Sequence, residues 1–328
     1  MPEIRVDFPT EISPFVDDVE ASTRAFVRRF DLAATEADRR HHERALFGTL
    51  MSRAYPHAGR AELGLVTDWV STMLVLDDYF DETDLGLAPD ELRAVTAEIL
   101  SWLRADGVAE DPATGGAKHP VTVVFRPAVA DLWRRTCEYT SPTWRARLAG
   151  HFGEFFETCV WEAENRLADR TPGLKEYLAN RSRSFLLPYL DLVEVTTHAE
   201  VPEEIYRLPE FTEMNQALSD ADLGTNDLFT CEKEAALGDQ HNLVLVYQHE
   251  HDTDLQTAVD AVGAMTQERY DRFSELSRMF PDEVLGADAD PSTKDLIRTH
   301  VTCLRSWLTG QLRWRFETKR ADPNRGTD

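Results

Sequence analysis

Cysteine is scarce and poorly spaced for metal or disulfide chemistry. The chain has four, Cys137, Cys159, Cys231 and Cys303, with no CxxC among them. That excludes a zinc framework, and in a chain of 328 residues it excludes a disulfide scaffold. Reduced, mostly buried thiols are expected. No apolar run approaches the roughly 18 residues that a membrane span needs. The start, Met1-Pro2-Glu3-Ile4-Arg5-Val6-Asp7, lacks the apolar core of a signal peptide, so a cytoplasmic location is expected. Positive charge is in short supply: 35 Lys+Arg against 59 Asp+Glu leave a formal net charge of −24. This argues against nucleic acid as a partner, since its phosphates must be offset, and against an anionic membrane surface. An anionic small molecule stays open, because a few local cations or metal ions can reverse the field inside one pocket. Strand signals are few, with no Asn-Gly or Asp-Gly between β-branched segments.

Helical periodicity fills that space. From Leu65, the residues Val66, Trp69, Val70, Met73, Leu74 and Leu76 recur at steps of three and four. Leu243 to Phe273 does the same through Val246, Val259, Val262, Met265 and Tyr270, and so does Leu304 to Trp314. Breakers punctuate the chain at Ala54–Gly59, Asp106–Pro120, Thr171–Gly173 and Pro281–Pro291, the last an acidic segment expected to be mobile. No linker separates two domains and no repeat is visible. One all-α domain over 1–328 is expected, with 1–13 and 321–328 as flexible ends.

Two segments could carry chemistry. In Leu76-Asp77-Asp78-Tyr79-Phe80-Asp81-Glu82, residues four apart share a helix face, so Asp77 and Asp81 continue the stripe of Val66, Val70 and Met73. Buried carboxylates cost several kcal/mol unless cations face them, and Mg²⁺ prefers oxygen ligands of this type. A solvated acidic helix end running into Thr83-Asp84-Leu85-Gly86 is the plain alternative. In Asn226-Asp227-Leu228-Phe229-Thr230-Cys231-Glu232-Lys233-Glu234, the residues Asn226, Thr230 and Glu234 stand at i, i+4 and i+8. An amide oxygen, a hydroxyl and a carboxylate on one line suit a single hard cation. A helix start capped by Thr225 or Asn226 is the alternative here.

Together the two segments resemble the aspartate-rich motif and the NSE triad of bacterial class I terpene synthases, in the family's order and separation. Two further features agree. Tyr177-Leu178-Ala179-Asn180-Arg181 places Arg181 45 positions before Asn226, where the family carries a pyrophosphate-sensing arginine. The helix break that follows it in the family would fall at Ser184 and Phe185, with Pro188 close behind. Near the end, Gly310, Trp314, Thr318 and Arg320 match a pattern resembling G-x3-W-x3-T-x-R-Y, while Ala321 stands where the family usually has Tyr.

The resemblance implies a single-domain helical bundle around a central apolar cavity. It implies a terpene cyclase that ionises a linear prenyl diphosphate with three Mg²⁺ ions and releases diphosphate. Farnesyl diphosphate is the expected substrate and geranylgeranyl diphosphate the alternative. Asp77, Asp78 and Asp81 would hold two ions, with Glu82 able to replace Asp81. Asn226, Thr230 and Glu234 would hold the third. Arg181, Lys233 and Arg320 would contact the diphosphate. Trp307, thirteen residues before Arg320, and Phe185 would face the hydrocarbon and stabilise cations by cation–π contact. Core packing is the plain alternative for each. Met73 and Leu74 stand where relatives often carry Phe. A prenyl chain-elongating synthase would show a second aspartate-rich motif at 226–234, and this chain does not. A non-enzymatic or decayed all-α relative has only Ala321 in its favour. The resemblance leaves a homodimer open.

Overall fold

The structure, a computed structural model, describes residues 2–103, 119–184 and 186–318. All regular structure among them is helical. The helices are α1 (Val16–Arg29), α2 (Glu36–Ala45), α3 (Phe47–Ala54), α4 (Arg60–Glu82), α5 (Pro89–Trp102), α6 (Pro120–Cys137) and α7 (Pro142–Leu167). They continue as α8 (Leu174–Ser184), α9 (Leu187–Thr197), α10 (Glu203–Tyr206), α11 (Pro209–Leu237), α12 (Leu243–His251), α13 (Leu255–Met279) and α14 (Pro291–Glu317). A 3₁₀ turn covers Asp84–Leu87 and a π turn Phe280–Val284. The all-α expectation therefore holds, and no described helix is long and apolar enough to cross a membrane.

Proline sets many of the starts: Pro89, Pro120, Pro142, Pro188 and Pro209 each occupy the first turn of a helix, where the missing N–H has no partner to lose. Side-chain caps set others, with Thr35 and Asp38 reciprocal at α2 and Asp254 accepting from the Thr257 N–H at α13.

The helices form two compact units, one built mainly from Pro14–Ser52 and Ala58–Arg170, the other from Arg53–His57 and Thr171–Glu317 with the segment before Pro14. In the first, the α4 stripe is buried as its periodicity predicts, with Val66, Trp69, Val70, Met73 and Leu76 at most 2% exposed. Trp69 stacks on Phe152 and meets Trp133 edge-on, and its indole N–H donates to Thr136 Oγ1 at 2.8 Å. In the second, α11 lies along α13 so closely that a Cβ on Gly224 would fall 2.2 Å from Thr266 Oγ1. Gly310 on α14 passes the Arg53 backbone in the same way: a Cβ there would fall 2.8 Å from the Arg53 carbonyl carbon. The segment before Pro14 lies against this unit, with Phe8 edge-on to Phe273 and Thr309 Oγ1 donating to the Pro9 carbonyl.

Two helical runs differ from the sequence reading. The stretch Leu243–Phe273 is two helices, because Asp252 adopts a left-handed φ of 49° and Asp254 starts a new cap. Its buried line is Ala258, Val262, Thr266 and Tyr270 rather than Val259 and Met265. The Pro281–Pro291 segment is not wholly loop: Phe280–Val284 forms a π turn. Pro281 has no N–H to give to the preceding turn, and a wider turn relieves its ring. Phe280, fully buried against Phe211, holds that turn in place.

Candidate functional site

The acidic segment ends α4, in the first unit. Met73 is buried one turn before Asp77, Asp77 and Asp78 are half-buried, and Asp81 is exposed. The last turn of the helix contains no basic residue, so these carboxylates face the negative end of the helix dipole uncompensated from within. Compensation comes from elsewhere in the unit. Arg166 of α7 reaches Asp81 at 2.9 Å and Glu162 at 3.8 Å. His41 of α2 lies 3.6 Å from Asp78. Among the described residues, no three His, Cys, Asp or Glu side chains are drawn together as a metal cluster.

The second segment lies in the middle of α11, in the other unit. Asn226 is seventeen residues past the helix start, so neither it nor Thr225 caps a helix. Thr225 instead bonds the Ala221 carbonyl and the Tyr270 hydroxyl. Asn226, Thr230 and Glu234 follow one another along the helix as their spacing predicts. The Thr230 hydroxyl donates its hydrogen to the Asn226 carbonyl at 2.9 Å, so toward a cation it acts only through its oxygen lone pairs. Burial, then the neighbouring Asp227 carboxylate, raises the pKa of Glu234, while the hydrogen bond from Asn242 pulls it back. Three oxygen donors of amide, hydroxyl and carboxylate type fit a hard divalent cation.

Around this line the second unit is densely bonded. Asp227 is fully buried and accepts from the Tyr177 hydroxyl and the Leu243 N–H, both at 2.7 Å. Burial raises its pKa, and the Arg181 guanidinium is the first influence that opposes this. Arg181 itself is half-buried on α8, whose Ser182 carbonyl accepts from Gln216 and Ser219 of α11. The expected diphosphate ligand thus sits on a helix fastened to α11. Lys233 is half-buried beside Glu234.

Two groups the sequence reading passed over also meet this line. Arg315 of α14 donates to Asn226 Oδ1 at 2.6 Å and lies 3.5 Å from Asp222, one turn earlier on α11. Burial pushes Asp222 up to about 6 despite that guanidinium. Asn242, just before α12, donates to Glu234 Oε2 at 2.7 Å. A cap signature, Asn followed by Leu243 and Val244, is the one local signal that marks Asn242. Nothing in local spacing marks Arg315.

Trp307 is 3% exposed and packs between Tyr55, with centroids 5.6 Å apart, and Tyr189, parallel at 6.5 Å. Phe185, Arg320 and Ala321 lie outside the described residues, and of Glu82 only its helical backbone is described.

The chain is similar to known proteins over nearly its whole length. Residues 68–272 match the profile of terpene synthase family 2, C-terminal metal binding. Pentalenene synthase of Streptomyces arenae is 31% identical over 325 residues, 98% of this chain and 92% of that protein. A (+)-T-muurolol synthase of Roseiflexus castenholzii, described as cyclising (2E,6E)-farnesyl diphosphate, is 29% identical over 96% of this chain and 92% of its own. The crystal structure of germacradien-4-ol synthase from Streptomyces citricolor superposes with a TM-score of 0.82 at 25% identity, covering 97% of this chain and 99% of that one.

Proposed function

This chain belongs to the terpene synthase family and is a terpene cyclase with a divalent-metal-binding domain, and from that premise we propose that it ionises farnesyl diphosphate with Mg²⁺ and cyclises the resulting cation. The observation that carries the proposal is the α11 donor set, an amide oxygen, a hydroxyl with its hydrogen committed to backbone, and a partly buried carboxylate in one line. The farnesyl chain length is supported by the T-muurolol synthase, at 29% identity.

In this reading, Asn226, Thr230 and Glu234 hold one ion, and Asp77, Asp78 and Asp81 the other two. The bound ions would draw electron density from the diphosphate leaving group as its C–O bond breaks. The chain's own residues do the rest. Arg181, Lys233 and Arg320 bind the diphosphate oxygens, charge on charge, and orient the leaving group. Excluding water from the site protects the carbocation from early capture. Trp307, with Tyr55 tilted against it and Tyr189 parallel to it, offers a rigid π surface to a migrating positive charge. Asp81, held by Arg166, must leave that guanidinium to serve as a ligand. The whole chain acts as one synthase domain.

Incubation with geranyl, farnesyl and geranylgeranyl diphosphates, each with and without Mg²⁺, tests this. A cyclic fifteen-carbon product from farnesyl diphosphate, formed only with Mg²⁺, is expected. A product from geranylgeranyl diphosphate alone would contradict the assigned chain length, and metal-independent turnover would contradict the metal role.

A further inference from the structure

We propose that Asn242 is a positioning residue, which fixes the Glu234 carboxylate for a divalent cation by donating to it from a buried, fully committed side-chain amide. The inference rests on the metal reading of α11 given above.

Asn242 is completely buried. Its Oδ1 accepts the Val244 N–H at 2.9 Å and so caps α12. Its Nδ2 carries two hydrogens. They meet the Asp227 carbonyl at 2.8 Å and Glu234 Oε2 at 2.7 Å, with Thr230 Oγ1 a longer 3.4 Å away. The amide has no rotational choice: its oxygen must face a donor, and its nitrogen faces acceptors only. The flanking backbone is fixed as well, because the Leu243 N–H is held by the buried Asp227 carboxylate. One side chain therefore locks the start of α12 to the donor line of α11.

The chemistry of the donor matters. A lysine or arginine at this place would cancel the charge of Glu234. A neutral amide occupies Oε2, freezes the rotamer and leaves the negative charge for a cation. Partners that orient a ligand in this way commonly change metal affinity about 10- to 100-fold when removed.

Asn242→Ser separates the two duties, since serine caps a helix but cannot supply both amide donors. Mn²⁺ serves as the probe, titrated by electron paramagnetic resonance in the presence of inorganic diphosphate, so no turnover is needed. Wild type, Asn242→Ser and Glu234→Gln are compared, with thermal unfolding of each recorded without metal. The expected result is Mn²⁺ binding weakened about 10- to 100-fold in Asn242→Ser, with its Tm within a few degrees of wild type. Asn242→Thr, a second capping residue, should behave alike and stands in if the serine variant does not fold. Wild-type Mn²⁺ affinity in Asn242→Ser beside weakened binding in Glu234→Gln overturns the positioning role alone. A weakened affinity that tracks a collapsed Tm in both capping variants also overturns it. Unchanged binding in Glu234→Gln instead overturns the metal reading on which the inference rests.

Discussion

At the end of α4, Asp78 and Asp81 lean on side chains from other helices, the His41 imidazole at 3.6 Å and the Arg166 guanidinium at 2.9 Å, on a helix end with no basic residue of its own. Along α11, Glu234 is held by a neutral amide, Thr230 by backbone, and the adjoining Asp227 by a hydroxyl and a peptide N–H. The first arrangement is adjustable, because an ion pair at a half-exposed site exchanges partners at small cost. The second is preorganised, because buried donors with fixed geometry leave each acceptor one orientation. The contrast teaches that carboxylate ligands can be prepared in two ways. In one, an exposed carboxylate is neutralised provisionally by a side chain from another helix, as Asp81 is by Arg166; in the other, a carboxylate is aimed in advance by a neutral donor, as Glu234 is by Asn242, although on the same line Asn226 Oδ1 accepts from Arg315.

The contrast breaks first on α11. Asn226→Ala should lower kcat/KM by about 10²–10³-fold, the several kcal/mol that a metal contributes to charge stabilisation. It should leave the Tm near wild type, since little core volume is lost. Circular-dichroism melting beside steady-state kinetics checks both halves. Next is the arginine of α8. Arg181→Ala should raise the KM for farnesyl diphosphate about 10- to 100-fold, the worth of a hydrogen bond to a charged group. Arg170→Ala, on the turn after α7, should not, and equal effects would show that position along α8 is irrelevant.

Tyr177→Phe sharpens the comparison on the stability side. It strips one donor from the buried Asp227 carboxylate, and a loss of about 1.5–3 kcal/mol in urea unfolding is expected. At the α4 end the comparison is read in turnover. Asp77→Asn removes one of the carboxylates assigned to the metal ions and should impair turnover. Destabilisation by Asp77→Asn would mean that this carboxylate is as tightly built in as Asp227. The smallest effect is reserved for Ala321→Tyr, which should leave diphosphate release unchanged or raised a few-fold at most, whereas Arg320→Ala should be severely impaired. A wild-type rate in Arg320→Ala would remove the C-terminal pattern from the site.

The sequence made legible whatever is local and periodic. The α4 stripe was readable from Val66 to Leu76, because one helix face is buried along its length. The spacing of Asn226, Thr230 and Glu234 was readable because one helix carries all three. The Gly310 of the C-terminal pattern acquires its reason only in the fold, where the Arg53 backbone occupies the space of a side chain. What stayed hidden came from tertiary packing. Arg315 reaches Asn226 from 89 residues away, and Tyr177 reaches Asp227 from 50. Asn242 sits in a connection without periodicity, and only its cap signature shows in the letters. The break at Asp252 was lost because apolar residues continue at helical steps on both sides of it.

The claim at the centre of this account is that the α11 line holds a divalent cation essential to ionisation. Diphosphate release from farnesyl diphosphate, followed against Mg²⁺ concentration in wild type and Asn226→Ala, tests it most directly. The account predicts a wild-type rate that rises from nothing and saturates with Mg²⁺. It predicts a variant whose curve is shifted at least about tenfold toward higher Mg²⁺ and depressed at its plateau. Superimposable curves for the two proteins would contradict it.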